Sequence, residues 1–173
     1  MTESHLWYEE VNRTLQGLAD KHNLTLEQVV GIFVTFSAQK DFSINLTQTV
    51  QFLDNTPLTG MYSRKQVETA VRILNGENPL DIWGRLSQKY RNFYHSLLLR
   101  DGAVCVDTHI IRYYLNKHPY SKIHRITIED VFKRRWAYEI IQKHIMVVSK
   151  EMGLKTYQAQ AHIWVLQRGG NMW

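Results

Sequence analysis

Val104-Cys105-Val106-Asp107-Thr108-His109-Ile110-Ile111-Arg112 is the stretch on which the reading of this chain turns. It begins as a short apolar approach and reaches Asp107 where a helix can start. That helix runs through Ile110, Ile111, Tyr114 and Leu115 and stops before Pro119. Aspartate suits such a position because its carboxylate accepts from an amide that the helix cannot satisfy. A carboxylate fixed by helix-end amides is also held ionised and well aimed. Eighteen residues earlier stands Lys89. An amine and a carboxylate on neighbouring helical elements suit chemistry at an anomeric carbon. The carboxylate stabilises cationic character on the sugar, and the amine can attack to give a Schiff base. Against this stand plainer readings: Asp107 as a helix cap, and Lys89 as a solvated charge or a phosphate contact.

Helical spacing recurs on both sides of this segment. Thr25 with Gln28 reads as a capping box that opens a helix through Val29, Val30, Phe33 and Val34 towards Gln39. Ser43 begins a shorter helix that ends before Pro57, and Ser63 with Gln66 makes a second capping box, closed by Asn75-Gly76. Leu80 to Leu99 is helical with a break near Gly84 and Ser87. Asp101-Gly102 is a turn. Thr127 opens one helical stretch to about Met152, and a last helix from Thr156 carries Ile163, Trp164 and Leu166. No strand alternation or internal repeat emerges. The expectation is an all-α chain of eight or nine helices.

The chain has 173 residues, 44% hydrophobic and 12% aromatic, enough for a core without staples. Cys105 is the only cysteine, which excludes a disulfide framework and a cysteine-rich metal site and fits a reducing interior. No metal or cofactor is expected. Neither a secretory leader nor a membrane-length apolar run is seen, so a cytoplasmic, monomeric protein without a membrane partner is expected. Net charge is +5, with basic residues concentrated along 112–135. Such a field favours a phosphate backbone as partner. His109 and His162 read as satisfied helix-face histidines, Trp136 and Trp164 as core, and Cys105 as an inert buried thiol. Tyr113, Tyr114, Trp83, Tyr90, Phe93 and Tyr94 include stacking candidates, at least half of them plain core.

Four segments, in order, resemble the endonuclease III-like members of the helix-hairpin-helix (HhH-GPD) DNA glycosylases. Phe36-Ser37-Ala38-Gln39-Lys40-Asp41 is similar to their Ser-Ala-Gln loop. Gly60-Met61-Tyr62-Ser63-Arg64-Lys65 is similar to their Gly-Leu-Tyr-Asn-x-Lys helix start. The Asp107 segment resembles the one bearing the catalytic aspartate, and Ala161-His162-Ile163-Trp164-Val165-Leu166 resembles the late His-His-Trp-Leu-Ile-Leu helix. Two departures stand out. Where the family's hairpin reads Leu-Pro-Gly-Val-Gly-x-Lys, this chain has Trp83-Gly84-Arg85-Leu86-Ser87-Gln88-Lys89, and the iron–sulfur cysteines are absent.

The resemblance implies a two-lobed helical fold with an interlobe cleft, one lobe at 23–105 and the other combining 1–22 with 106–173. It implies a DNA N-glycosylase acting on double-stranded DNA by nucleotide flipping, with an optional β-lyase step. Asp107 takes the catalytic carboxylate's place and Lys89 that of the Schiff-base lysine. Gln39 matches the residue that fills the gap left by the flipped nucleotide. Lys40, Arg85, Ser87 and Arg112 are the other DNA-contact candidates, and Asp41, Tyr90 and His109 the pocket candidates. Two alternatives remain open: an inactive DNA- or partner-binding protein on the same fold, and a modified-base transferase.

Overall fold

The computed structural model describes residues 3–38, 40–84 and 87–169. Among these it is all-helical, with ten α-helices, two short 3₁₀ turns and no strand. The chain divides into two compact units, Val11–Arg85 and Met1–Glu10 with Leu86–Met172. The sequence reading places the boundaries after residues 22 and 105. The difference lies in two helices. α1 (Trp7–His22) ends at the first of these and runs through the division between Glu10 and Val11. α6 (Gln88–Leu97) is tied to α9 (Arg135–Glu151) by Asn92 Nδ2 at 3.4 Å from the Tyr138 hydroxyl and Gln142 Nε2 at 3.4 Å from Asn92 Oδ1.

The unit at 11–85 is organised by a reciprocal arrangement that its capping boxes announce. α2 (Leu26–Phe36) starts at Thr25 and α4 (Arg64–Leu74) at Ser63, and both boxes form as expected. Each box's glutamine does two things. Gln28 Oε1 accepts from the Thr25 amide at 3.0 Å, while its Nε2 donates to the Leu74 carbonyl at 3.1 Å. Gln66 Oε1 accepts from the Ser63 amide at 2.8 Å, while its Nε2 donates to the Thr35 carbonyl at 2.9 Å. Each helix start therefore satisfies carbonyls at the other helix's end, which fixes the pair antiparallel. Ile32, Phe36, Ala70 and Ile73 form the core between them, with Phe52 and Leu53 of α3 (Phe42–Leu53) packed against it. Gly31 is required here. A Cβ at that position would stand 2.5 Å from Pro79 Cγ, the first residue of α5 (Pro79–Trp83).

The second unit packs α7 (Thr108–Lys117), α9 and α10 (Thr156–Gln167) around Ile110, Ile111, Tyr114, Tyr138, Ile141, Ile145 and Ile163. The break expected near Gly84 and Ser87 is present, with Gly84 at φ 66° between α5 and α6. The single stretch expected over 127–152 is instead two helices, α8 (Ile128–Lys133) and α9, divided at Arg134 in an extended conformation. An uninterrupted helix repeating the face of Val131 and Tyr138 would turn Arg134 or Arg135 inward. The break keeps both guanidiniums in solvent, avoiding the cost of burying a cation.

Candidate functional site

The site begins with the four residues that precede α7. Ala103, Val104, Cys105 and Val106 have no regular secondary structure and are buried, and a buried backbone needs hydrogen bonds from somewhere. Ser96 Oγ lies 3.5 Å from the Ala103 carbonyl, and two further side chains serve the rest. The Tyr138 hydroxyl donates to the Val104 carbonyl at 3.0 Å and accepts from the Val106 amide at 3.0 Å. Gln160 Oε1 accepts from the Cys105 amide at 2.8 Å, and its Nε2 donates to the Tyr8 hydroxyl at 2.7 Å. At the start of the segment, Asp101 Oδ1 accepts from the amides of Gly102 and Thr156, each at 2.9 Å. Those amides hold the Asp101 carboxyl below its ordinary range. Helices α9 and α10 thus clamp the segment, and Asp107 emerges from it in a defined direction.

Asp107 is the N-cap of α7, its Oδ1 accepting from the Ile110 amide at 2.9 Å. The expected cap is real, and it occupies one of the two carboxylate oxygens, so Oδ2 remains for a ligand. Asp107 is half-buried. Lys89 is the second residue of α6, half-buried, with Nζ 5.6 Å from the centroid of the Phe132 ring. The charges of Lys89 and Asp107 are both felt at Cys105. Burial pushes the Cys105 thiol up to about 12, the Lys89 charge pulls it down and the Asp107 charge pushes it up. The ammonium and the carboxylate form no ion pair with each other. The Asp107 charge also raises the buried phenols of Tyr8 and Tyr138, on top of the larger effect of burial.

Around this pair the remaining expectations sort themselves. Ser87 is the N-cap residue of α6, and Tyr90 lies one residue after Lys89, its phenol pushed up by burial. His109 stands edge-on to Trp164 at 6.2 Å between ring centroids, a packing contact beside Asp107. Arg112 is exposed on α7. Lys40 and Asp41 belong to the other unit. The Lys40 ammonium is turned inward onto Gln48 Oε1 and lies 5.5 Å from the Phe36 ring centroid, and burial lowers its pKa. An intramolecular role accounts for it, so the expected DNA contact is not visible in its placement. Asp41 is exposed before α3 and its side chain makes no cap there. Gln39 and Arg85 lie outside the described residues.

Other readings also meet the structure. Cys105 is buried and held as the neutral thiol. His162 Nδ1 is 2.9 Å from Ser4 Oγ, a satisfied histidine. Trp136 is not core: it is 37% exposed, and the Lys122 ammonium sits 4.6 Å over its ring. Tyr94 and Tyr114 are buried, whereas Tyr113, Trp83, Tyr90 and Phe93 are half-buried. Sequence reasoning missed Tyr138, Gln160 and Tyr8. A signal for Gln160 existed, since it interrupts the small apolar run Ala159-Gln160-Ala161, and a polar residue on a buried helix face must have a partner. Among the described residues no three His, Cys, Asp or Glu side chains gather as metal ligands, and no helix is long and apolar enough to cross a membrane. No curated protein and no solved structure matches the chain. A family model does match it over residues 1–171, so the chain belongs to DUF7178, a family of unknown function.

Proposed function

We propose that this chain is a DNA N-glycosylase on a two-lobed helix-hairpin-helix fold, with Asp107 and Lys89 as its reactive pair. One observation carries the reading: Asp107 caps α7 through Oδ1 alone, at the end of a segment clamped by Tyr138 and Gln160, and keeps Oδ2 for a ligand. A salt-bridged pair would have neutralised both groups. Lys89 and Asp107 make no such pair. Asp107 Oδ2 stabilises the oxocarbenium-like sugar as the C1′–N bond breaks, and that bond's electron pair leaves with the base, which takes up a proton. Lys89 gives its ammonium proton to water, and the free amine bonds to C1′. The proton then shed by the attached nitrogen passes through Asp107 or water to the ring oxygen, the C1′–O4′ bond breaks as the nitrogen lone pair forms C=N, and a Schiff base results. If the lysine stays out of the reaction, water deprotonated by Asp107 attacks instead.

The other unit offers support of a different kind. Met61 is 83% exposed on a loop fastened by Gln48, whose Nε2 donates to the Thr59 and Met61 carbonyls. An apolar side chain held out on an anchored loop is what base-extruding proteins insert between base steps. Two measurements test the proposal. Borohydride added to the protein and abasic-site duplex should trap a covalent adduct that Lys89→Ala loses. Base release, screened across duplexes with modified bases, should fall about 100-fold or more in Asp107→Asn. Release that is unchanged in Asp107→Asn sinks the mechanism.

A further inference from the structure

The protein's formal excess of positive charge lies in one segment. The chain has 21 Lys and Arg against 16 Asp and Glu; residues 112–136 hold seven against two, and the rest of the chain balances at fourteen against fourteen. The two carboxylates in that segment are already engaged, Glu129 with Lys133 at 2.6 Å and Asp130 with Arg134 at 3.8 Å. Arg112, Lys117, Lys122 and Arg125 are exposed and have no ion-pair partner among the described residues.

Two aromatic side chains stand among these cations. Tyr120 is 99% exposed, and Trp136 presents its ring beneath the Lys122 ammonium. They are the large hydrophobics exposed in this segment, and no aliphatic side chain accompanies them. The loop that carries Tyr120 is nevertheless fixed. The Ser121 amide donates to the His118 carbonyl at 3.0 Å, and Ser121 Oγ is 3.2 Å from the hydroxyl of buried Tyr114. The 3₁₀ turn Lys122–Arg125 follows directly, capped by Ser121. A tyrosine held rigidly and wholly in solvent contributes no burial to folding, so packing does not explain it.

We propose that this face binds single-stranded nucleic acid, with Tyr120 and Trp136 stacking on unpaired bases and Lys117, Lys122 and Arg125 contacting the phosphates between them. Stacking platforms interleaved with cations are what an unpaired strand requires, because every base has a π-face and every linkage a charge. Duplex DNA hides those faces. A membrane surface would call for aliphatic side chains to insert beside the aromatics, and the segment exposes none. This inference goes beyond the glycosylase reading and does not rest on it, since the surface is complete whatever happens at Asp107.

The test is fluorescence anisotropy of a labelled oligothymidylate against a blunt duplex of equal length, using the whole chain. Binding of the single strand should depend on this face more than binding of the duplex does. Tyr120→Ala should weaken it about fivefold or more, the low end of what one stacked base supplies. Tyr120 is fully exposed, so that variant folds as the parent does; Trp136→Leu keeps apolar volume while removing the ring and should act in the same direction. Lys122→Gln and Arg125→Gln should each lower the slope of log affinity against log salt by about 0.7. Tyr120→Ala binding within twofold of the parent overturns the proposal. A Tyr120→Ala loss as large for the duplex as for the single strand, or binding to phosphatidylserine vesicles alone, does the same. The readout is binding without turnover, so a chain that releases no base still tests this surface.

Discussion

Replacing Tyr138 by Phe removes one oxygen atom and leaves the ring where it packs, so the cost reads the clamp on residues 104–106 together with one long contact from Asn92. Tyr138 is 1% exposed, and Val104 and Val106 are fully buried. The hydroxyl is the partner of the Val104 carbonyl and the Val106 amide, each at 3.0 Å. Removing it strands both groups away from water. A stranded buried polar group costs about 1–3 kcal/mol, so two cost about 2–6 kcal/mol, reduced by the hydroxyl that no longer needs burying. A value near 3 kcal/mol follows, large against a typical stability of about 5–15 kcal/mol. For a chain of this length that is roughly 6–12 °C in Tm. Urea unfolding followed by tryptophan fluorescence should show an earlier midpoint at unchanged slope. If Asp107 is the reactive carboxylate, base release should fall in kcat with KM little changed, because the clamp aims Asp107 and does not grip DNA. A stability change below about 0.5 kcal/mol would refute the reasoning, for the clamp would then hold nothing that water cannot.

Further outcomes follow from other contacts. Gln66→Ala should lose the Ser63 and Thr35 bonds and cost about 1–3 kcal/mol in denaturant unfolding. Gln66→Glu should cost at least as much despite keeping the capping oxygen, because a carboxylate then faces the Thr35 carbonyl. Gly31→Ala should destabilise by about 1–3 kcal/mol through its clash with Pro79, read by thermal melting. The Cys105 thiol, raised to about 12, should resist thiol reagents at pH 8 until the protein unfolds. A group whose acid form the fold protects favours folding while the unfolded thiol is also neutral. Stability should therefore decline as pH rises above about 8.5, where the unfolded thiol ionises and the folded one does not.

The legible parts of this fold were local. Thr25 with Gln28 and Ser63 with Gln66 announce helix starts because the capping box is made within four consecutive residues. The break at Gly84 was legible for the same reason, since a positive φ at glycine is a local choice. What escaped was decided at a distance. Nothing near Gln66 says that its amide reaches Thr35, thirty-one residues away in the chain. The break at Arg134 hides inside an apolar period that runs on from Val131 to Tyr138, and only the burial of that face forbids the arginines between. In the site, Asp107 was legible as a cap, whereas Tyr138 looked like one more aromatic on a buried face. Trp136 was misread because helical spacing does not tell which face meets solvent when the helix begins just before it.

Lys89 closes the argument, because its position is one that folding does not favour. The first turns of α1, α2, α5 and α8 carry carboxylates: Glu9 and Glu10, Glu27, Asp81, and Glu129 with Asp130. α6 carries none, as is also true of α3, α4, α7, α9 and α10, and places an ammonium there. A cation at a helix N-terminus opposes the macrodipole at about 0.3–1 kcal/mol. The contact with Phe132 returns a similar amount, about 0.5–1 kcal/mol for a cation over a ring. The two nearly cancel, so the fold gains almost nothing from this lysine. Lys89→Gln should accordingly leave urea stability within about 0.5 kcal/mol of the parent while abolishing any borohydride-trapped adduct. A loss above about 1 kcal/mol would make Lys89 a structural residue, and the case for it as a nucleophile would lose its footing. A variant of unchanged stability that no longer forms the adduct would instead mean that the amine is kept for chemistry on a ligand.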